Sequence, residues 1–113
     1  MEELLHRLEV YFRGGRVSFD DVELDLEGWT RFQLDVVNAL RGVPFGEVVS
    51  YGELAQLAGY PRAQRAAGTF CAHNRFPIVV PCHRVISAHG LGSYGSLGLA
   101  YKQRLLALEG VTL

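Results

Sequence analysis

The 113-residue sequence contains no apolar run near the ~20 residues that a membrane-spanning helix needs. It also starts Met-Glu-Glu, which is acidic where a secretory signal peptide would be basic. These two absences predict a cytoplasmic protein with no membrane partner. The sequence has only two cysteines, Cys71 and Cys82. A structural disulfide is not expected, because a lone pair of cysteines in a reducing compartment usually remains as free thiols.

Acidic residues are missing from most of the second half of the chain. Overall, 11 Lys and Arg against 12 Asp and Glu give a net charge of −1, which argues against binding nucleic acid by bulk charge. From Leu54 to Leu108, however, there is no Asp or Glu. The bases in this interval are Arg62, Arg65, Arg75, Arg84, Lys102 and Arg104. One surface of this half is predicted to face phosphate, and a solvated helix face is the alternative explanation.

The two ends of the chain carry simple patterns. Residues 3–12 have apolar side chains at helical spacing and are followed by Gly14 and Gly15, which predicts a short amphipathic helix. Apolar and polar residues mostly alternate over residues 17–26, which predicts an extended, half-buried segment. Near the other end, a glycine-rich loop leads into a helix predicted over residues 99–108, with Gly110 as its stop.

Two capping boxes mark helix starts in the middle of the chain. The pairs are Thr30 with Gln33 and Ser50 with Glu53. The second helix would be short and end at Gly59, and a further helix is predicted over residues 61–73 with Pro61 in its first position. A short helix, a glycine turn and a second helix are typical of a helix-turn-helix.

The most informative segment is an apolar run that ends in Pro81 and presents Cys82 beside His83. A free cysteine with a pKa of ~8.5 is mostly protonated at neutral pH, so a base or cation such as His83 or Arg84 would change its reactivity. Residues 78–80 are predicted to be extended. Because successive side chains of a strand point to opposite faces, His83 is expected to reach the thiol through a bridging water. The segment predicts an active-site cysteine.

Two other kinds of site fit the same residues less well. A metal site built from Cys71, His73, Cys82 and His83 would lack the paired two-gap spacing of zinc ligands, so no metal is predicted. A cysteine hydrolase would need an oxyanion hole and a base in direct reach of the thiol. Adjacent residues on a strand rarely provide that arrangement.

From about Thr30 to Gly110 the sequence resembles the O6-alkylguanine-DNA alkyltransferases. The most specific element is Pro-Cys-His-Arg-Val at 81–85. The supporting segments are Gly-Glu-Val-Val-Ser-Tyr at 46–51, Ala-Ala-Gly at 66–68 and Leu-Leu-Ala-Leu-Glu-Gly at 105–110. The resemblance implies an α+β, mostly helical fold, which is a winged-helix-like alkyltransferase domain with a helix-turn-helix and short strands.

The same resemblance implies a DNA repair protein. Such a protein binds double-stranded DNA through the minor groove, flips O6-alkylguanine, chiefly O6-methylguanine, out of the duplex, and transfers the alkyl group irreversibly to its own cysteine. This chain would therefore be a single-turnover methylated-DNA-protein-cysteine S-methyltransferase, acting as a monomer and without a cofactor.

Five catalytic residues are implied by the resemblance. Cys82 is the alkyl acceptor, His83 is the water-assisted base, and Glu109 pairs with the far nitrogen of His83 and orients its ring. Asn74 corresponds to the hinge asparagine that ties the turn before the cysteine to the following segment. Tyr94 corresponds to the tyrosine that lines the guanine pocket and can donate a proton as the guanine leaves.

The DNA-binding set implied by the resemblance comprises Tyr51, Arg62, Ala63, Arg65, Ala66 and Gly68. Arg65 would enter the duplex in place of the flipped base, and its planar guanidinium would stack on neighbouring base pairs. Tyr51 would press on the phosphate and drive rotation of the nucleotide. The backbone carbonyls of Cys82 and Val85 would accept hydrogen bonds from the guanine amine.

The chain also departs from the family pattern. Residues 1–28 resemble only the last helix and strand of the usual amino-terminal domain, so they are predicted to be its remnant, and residues 29–113 the DNA-binding alkyltransferase domain. Arg75, Gln64 and Thr69 stand where the family usually has proline or very small residues. The alternative function is that of an alkyltransferase-like lesion sensor, which binds alkylated DNA and recruits other repair factors. In those proteins the cysteine is replaced, whereas this chain keeps Cys82.

Overall fold

The computed structural model describes residues 2–87, 90 and 98–112, and over these residues the fold is mostly helical. The helices are α1 (Glu2–Phe12), α2 (Arg31–Arg41), α3 (Tyr51–Leu57), α4 (Gln64–Ala72) and α5 (Gly98–Leu108). Two short strands, β1 (Val49–Ser50) and β2 (Val85–Ile86), pair in parallel. The predicted α+β, mostly helical class is confirmed. In the part of the chain that the structure describes, no helix is long and apolar enough to cross a membrane.

Both predicted capping boxes are present. The backbone N–H of Gln33 donates to Thr30 Oγ1 at 3.1 Å, and the Gln33 side chain accepts from the N–H of Thr30 at 2.8 Å. Ser50 and Glu53 form the same reciprocal pair at the start of α3, at 3.0 and 2.9 Å. Each box satisfies two N–H groups that a helix start otherwise leaves without partners, so it fixes where the helix begins.

The helix-turn-helix is formed by α3 packed against α4. Gly59 has a φ of +95°, which is the left-handed conformation expected of the glycine turn. The prediction that α4 starts at Pro61 is wrong, because α4 begins at Gln64. Residues 60–63 instead form a turn in which the N–H of Ala63 donates to the carbonyl of Tyr60 at 2.9 Å. Proline suits the second position of such a turn as well as the first position of a helix.

The segment before Cys82 is not extended, so that prediction is also wrong. The N–H of Val80 donates to the carbonyl of Phe76 at 2.8 Å, and Ile78 adopts a φ of +72°, which is rare for a β-branched residue. Residues 75–80 are therefore a compact series of bends and turns. Cys82–Arg84 form one turn of 3-10 helix, and β2 follows at once.

Residues from the first helix and the following segment contribute to the same hydrophobic core as the helix-turn-helix. The largest fully buried apolar side chains come from α1, α2, α3 and α5 and include Tyr11, Leu40, Leu54 and Leu106. The predicted alternation over residues 17–26 appears as alternating burial, with Phe19 buried, although the segment pairs with no strand among the described residues. The predicted boundary after residue 28 remains a prediction.

Candidate active site

Cys82 lies at the start of the 3-10 turn, where its side chain is 1% exposed. Burial raises the pKa of the Cys82 thiol well above its ordinary value, and so does contact with the thiol of Cys71. A hydrogen bond from Asn74 and the charge of Lys102 lower the same pKa, without cancelling the rise. The thiol is therefore protonated at rest, so a nucleophilic attack by Cys82 needs a group that accepts its proton.

His83 and Glu109 form a fully buried pair. Glu109 follows the last turn of α5, and its Oε2 lies 2.6 Å from His83 Nε2. Both side chains have 0% exposure. In a 3-10 turn, successive residues point about 120° apart, so Cys82 and His83 do not face the same direction although they are adjacent. The carboxylate contacts the imidazole at Nε2, the ring nitrogen farther from the main chain.

Glu109 is surrounded by hydrogen-bond donors. Arg84 donates through Nε to Oε1 at 2.9 Å and through Nη2 to Oε2 at 3.0 Å. The hydroxyl of Tyr11 donates to Oε2 at 2.6 Å, and the N–H of Gly46 donates to Oε1 at 3.1 Å. Burial alone would raise the pKa of Glu109, but the hydrogen bonds from His83, Arg84 and Tyr11 outweigh it and hold this pKa well below its usual range. Glu109 is thus ionised.

The charge states of the pair determine which nitrogen of His83 can act as a base. Burial lowers the pKa of His83, although Glu109 opposes that shift, so the imidazole is neutral at neutral pH. With Glu109 ionised, the single ring proton is placed on Nε2, where it donates to the carboxylate. His83 Nδ1 is buried and has no hydrogen-bond partner among the described residues. Nδ1 is therefore the free acceptor that a general base requires.

Asn74 holds the turn that precedes Cys82. Its side-chain Nδ2 donates to the carbonyl of Val80 at 2.8 Å, and its Oδ1 accepts from the N–H of Phe76 at 2.9 Å. One side chain thus closes the compact loop over residues 75–80, which includes the unusual backbone conformation at Ile78. Both contacts lie within the turn before Cys82, and the predicted tie from Asn74 to the following segment stays a prediction.

The helix-turn-helix presents a groove of about 920 Å³ on its surface. The lining residues are Tyr51, Arg62, Gln64, Arg65, Gly68, Thr69 and Ala72. Arg62 and Arg65 are exposed, and Tyr51 is half-buried at the start of α3. A methyl group added at Gly68 would meet the ring of Tyr51 at 3.9 Å, which is an ordinary contact. Packing among the described residues therefore does not require glycine at this position.

The remaining predicted site residues lie at different places. Ala63 is half-buried at the N-cap of α4 and Ala66 is exposed in its first turn, but neither lines that groove. The carbonyl of Val85 accepts from Lys102 Nζ at 2.5 Å. The carbonyl of Cys82 accepts from the N–H of Val85. A carbonyl has two lone pairs, so both groups keep capacity for a second donor. Tyr94 lies outside the described residues.

Comparison with known proteins identifies the family. Residues 31–111 match the family described as 6-O-methylguanine DNA methyltransferase, DNA binding domain. The chain belongs to the 6-O-methylguanine DNA methyltransferase family. The methylated-DNA--protein-cysteine methyltransferase of Mycolicibacterium paratuberculosis is 52% identical over 106 residues, which cover 93% of this chain and 62% of that protein. This methyltransferase-family chain therefore spans less than two thirds of that relative.

Solved structures support the same assignment. The crystal structure of Mycobacterium tuberculosis OGT in complex with DNA matches with a TM-score of 0.84 at 50% identity, covering 94% of this chain and 65% of that one. The structure of S. pombe ATL in complex with DNA matches with a TM-score of 0.60 at 30% identity, covering 72% and 77%. The predicted family and its helix-turn-helix fold are confirmed.

Two basic residues of this methyltransferase-family chain do not lie where sequence analysis put them. Arg84 and Lys102 were counted with the phosphate-facing charges, yet they are 6% and 0% exposed. Arg84 is paired with Glu109, so it does not supply a cation to the thiol. Lys102 does, since its charge lowers the pKa of Cys82. Burial lowers the pKa of Lys102 itself to about 8. The exposed basic surface is smaller than the count of bases suggested.

Sequence reasoning missed Lys102 and Tyr11 as parts of the site. A signal for Lys102 was available, because residues 102, 105, 106 and 109 have the i, i+3, i+4, i+7 spacing of one helix face, and Leu105 and Leu106 are apolar. No comparable signal existed for Tyr11, which lies 98 residues from Glu109 in the sequence. Among the described residues, no group of three metal-ligating side chains could hold a metal ion.

Proposed function

We propose that this chain repairs O6-alkylguanine, chiefly O6-methylguanine, in double-stranded DNA by transferring the alkyl group irreversibly to Cys82. The observation that supports this most directly is a buried thiol whose neighbour, His83, has an ionised carboxylate on Nε2 and an unpartnered Nδ1 among the described residues. The chain would act once, as a monomer in the cytoplasm, and without a cofactor.

In the proposed transfer, Cys82 Sγ attacks the alkyl carbon while the bond from that carbon to O6 of guanine breaks. The thiol proton passes through a bridging water to His83 Nδ1, and the departing guanine takes a proton in return, for which Tyr94 is the candidate donor. Because burial raises the pKa of Cys82, we expect deprotonation to accompany attack and not to precede it. Glu109 stabilises the imidazolium that forms, and Lys102 stabilises the developing thiolate.

We propose that the groove on the helix-turn-helix surface is the DNA interface. This surface would contact the minor groove of the duplex. Flipping a base costs a few kcal/mol, so the protein must stabilise the gap as well as the extruded base. Arg65 is exposed and can enter the gap. Tyr51 is the first residue of α3 and lines the same groove as Arg65. Arg62, Ala63, Ala66 and Gly68 would complete the surface, with the small residues allowing a close approach of the DNA backbone.

The backbone around the proposed guanine site is fixed on both sides. Asn74 closes the loop before Cys82, and parallel pairing of β2 with β1 fixes Val85 opposite Val49. Together these contacts hold the carbonyls of Cys82 and Val85 in place, where we propose that they accept from the guanine amine. Rigid placement matters because a nucleophile displaced by about 1 Å can lose roughly a hundredfold in rate.

The proposal is tested by mixing the protein with a duplex that carries one O6-methylguanine. The expected result is a gain of one methyl group in intact mass, located at Cys82 by peptide fragmentation, together with restored guanine in the DNA. Tight lesion-selective binding without a change of mass would make the chain a lesion sensor instead. Equal binding to damaged and undamaged duplexes, again without a mass change, would overturn both functions.

Arg65→Ala is expected to slow repair by weakening the flipped state. Loss of one stacking guanidinium corresponds to about 2 kcal/mol, or roughly thirtyfold in affinity for the lesion. Binding to lesion-containing and undamaged duplexes should be compared by fluorescence anisotropy at two salt concentrations, alongside the rate of Cys82 methylation. Arg31→Ala is the control, because Arg31 is also exposed and lies outside the groove. Similar losses in the two variants would argue that Arg65 contributes only general charge.

A further inference from the structure

Tyr11 makes a contact with the active-site pair that the proposed transfer does not use. It lies in the last turn of α1 and is 0% exposed. Its hydroxyl donates to Glu109 Oε2 at 2.6 Å and lies 3.3 Å from His83 Nε2. Glu109 Oε2 therefore accepts a hydrogen bond from the phenol of Tyr11 as well as from the imidazole of His83.

The position of this hydroxyl is fixed by aromatic packing. The ring of Tyr11 makes edge-to-face contacts with Phe12, Phe19 and Phe45, with centroids 5.5, 6.1 and 6.0 Å apart. The partners come from α1, from the following segment and from the loop before β1, so three separate parts of the chain restrain the ring. The hydroxyl is therefore preorganised, and it does not have to be ordered when the imidazole changes its charge.

Three donors share Glu109 Oε2, and their roles differ. Arg84 supplies a full positive charge at 3.0 Å and His83 supplies the Nε2 proton at 2.6 Å, whereas Tyr11 is neutral. A neutral donor restrains the orientation of the carboxylate and withdraws part of its negative charge without adding a charge of its own. Without the Tyr11 hydroxyl, the carboxylate of Glu109 could rotate toward Arg84. The ion pair with Arg84 would then determine how Glu109 Oε2 is placed relative to His83 Nε2.

We propose that Tyr11 is a positioning residue for alkyl transfer, which holds Glu109 Oε2 in line with His83 Nε2 and so keeps the imidazole oriented to receive the Cys82 proton at Nδ1 through the bridging water. This inference rests on the proposed function, because it assigns Tyr11 a part in that same transfer. It also makes α1 necessary for the chemistry, although α1 lies outside the segment that matches the DNA-binding domain of the family.

The test compares Tyr11→Phe with Tyr60→Phe in single-turnover reactions on a duplex containing O6-methylguanine. Tyr60 is the matched control, since its hydroxyl donates to Asp35 at 2.7 Å and has no contact with Glu109 among the described hydrogen bonds. We expect Tyr11→Phe to slow methylation of Cys82 by roughly tenfold, as for loss of one hydrogen bond to a charged group. Tyr60→Phe should change the rate by less than about twofold. Affinity for the lesion should be unchanged in both.

The pH profile separates positioning from a general loss of structure. Removing the hydroxyl leaves more negative charge on Glu109, which favours the imidazolium and raises the pKa of His83. The pH at which transfer fails on acidification should therefore move upward in Tyr11→Phe, and it should stay in place in Tyr60→Phe. A variant that was merely less stable would keep the wild-type profile wherever it remained folded, so an unshifted profile would overturn the inference.

A double-mutant cycle with Glu109→Gln gives a second readout. If Tyr11 acts through the carboxylate, Tyr11→Phe should lose most of its effect on the rate once Glu109 is replaced. If the two losses simply multiply, Tyr11 does not act through Glu109 and the inference is wrong. Should Glu109→Gln fail to fold, the pH profile decides alone. Failure of the wild-type protein to methylate Cys82 would instead refute the proposed function, so the two failures are distinguishable.

Discussion

Cys82→Ser is expected to abolish alkyl transfer while leaving recognition of the lesion intact. The hydroxyl of serine is far less acidic than a thiol and its oxygen is a harder nucleophile, so a neutral imidazole cannot activate it for attack on an alkyl carbon. We expect the rate to fall by more than about a thousandfold, by analogy with removal of other enzymatic nucleophiles. The difference in size is small and Cys82 is buried among apolar residues, so the fold should survive.

The measurement is the intact mass after long incubation with the O6-methylguanine duplex, paired with a binding assay on the same duplex. Cys71→Ser is the matched control, because Cys71 is the other cysteine of the chain and is also buried. We expect Cys71→Ser to gain one methyl group per chain, located at Cys82. If Cys82→Ser were methylated and Cys71→Ser were not, Cys71 would be the acceptor and the nucleophile assignment would be wrong.

Local sequence signals predicted the elements of the fold that depend on neighbouring residues. Both capping boxes, at Thr30 and Ser50, were found where the sequence placed them, because their hydrogen bonds join residues only three apart. The glycine turn at Gly59 was predicted for the same reason. The error at Pro61 is also local, since proline is equally suited to a turn and to a helix start and nothing nearby distinguishes the two.

The segment over residues 75–80 shows why an apolar run is weak evidence for a strand. Its conformation is determined by Asn74, whose side chain bonds to the N–H of Phe76 and the carbonyl of Val80. An asparagine that bonds to nearby backbone offers the chain an alternative to a ladder of strand hydrogen bonds. A positive φ at Ile78 is not predictable from residue type, because the local preference of isoleucine is against it.

The family resemblance implied some residues of the candidate site, and the other residues around Glu109 were not predicted. Glu109 pairs with His83, the neighbour of Cys82 in the sequence, but Arg84, Tyr11 and Gly46 complete the environment of Glu109 through contacts that no local pattern reveals. Counting charges along the chain placed Arg84 and Lys102 on the surface, because the base rate for both residue types is exposure. Each is buried because it has a specific partner, Glu109 and the carbonyl of Val85.

Those contacts make Glu109 the residue on which the stability of the site depends most. The carboxylate is fully buried and, among the described residues, accepts hydrogen bonds from Arg84 Nε, the Tyr11 hydroxyl and the N–H of Gly46. A buried ion pair can be close to neutral in net free energy, because desolvation of the two charges offsets their attraction. Removing one partner is different, since the other charge stays buried and loses its counterion.

Glu109→Gln is therefore expected to lower the free energy of unfolding by about 3–5 kcal/mol, a large share of the ~5–15 kcal/mol typical of a domain. The amide has nearly the same shape, but its NH2 group would face a donor wherever it is turned, and Arg84 would be left without a counterion. Urea unfolding followed by circular dichroism measures the change. Glu3→Gln is the control, because Glu3 is exposed and its solvent-screened ion pair with Arg7 should contribute little to stability.

Acidification gives an independent check of the same interaction. The folded pKa of Glu109 lies below the ordinary value of 4.5, so its contribution to stability is complete above that value and is lost as the pH falls toward the folded pKa. The stability difference between wild type and Glu109→Gln should therefore shrink between about pH 5 and about pH 3. A difference that stayed constant over this range would mean that the carboxylate of Glu109 is not the charge that Arg84 and His83 depend on, and the loss at neutral pH would then have to come from packing.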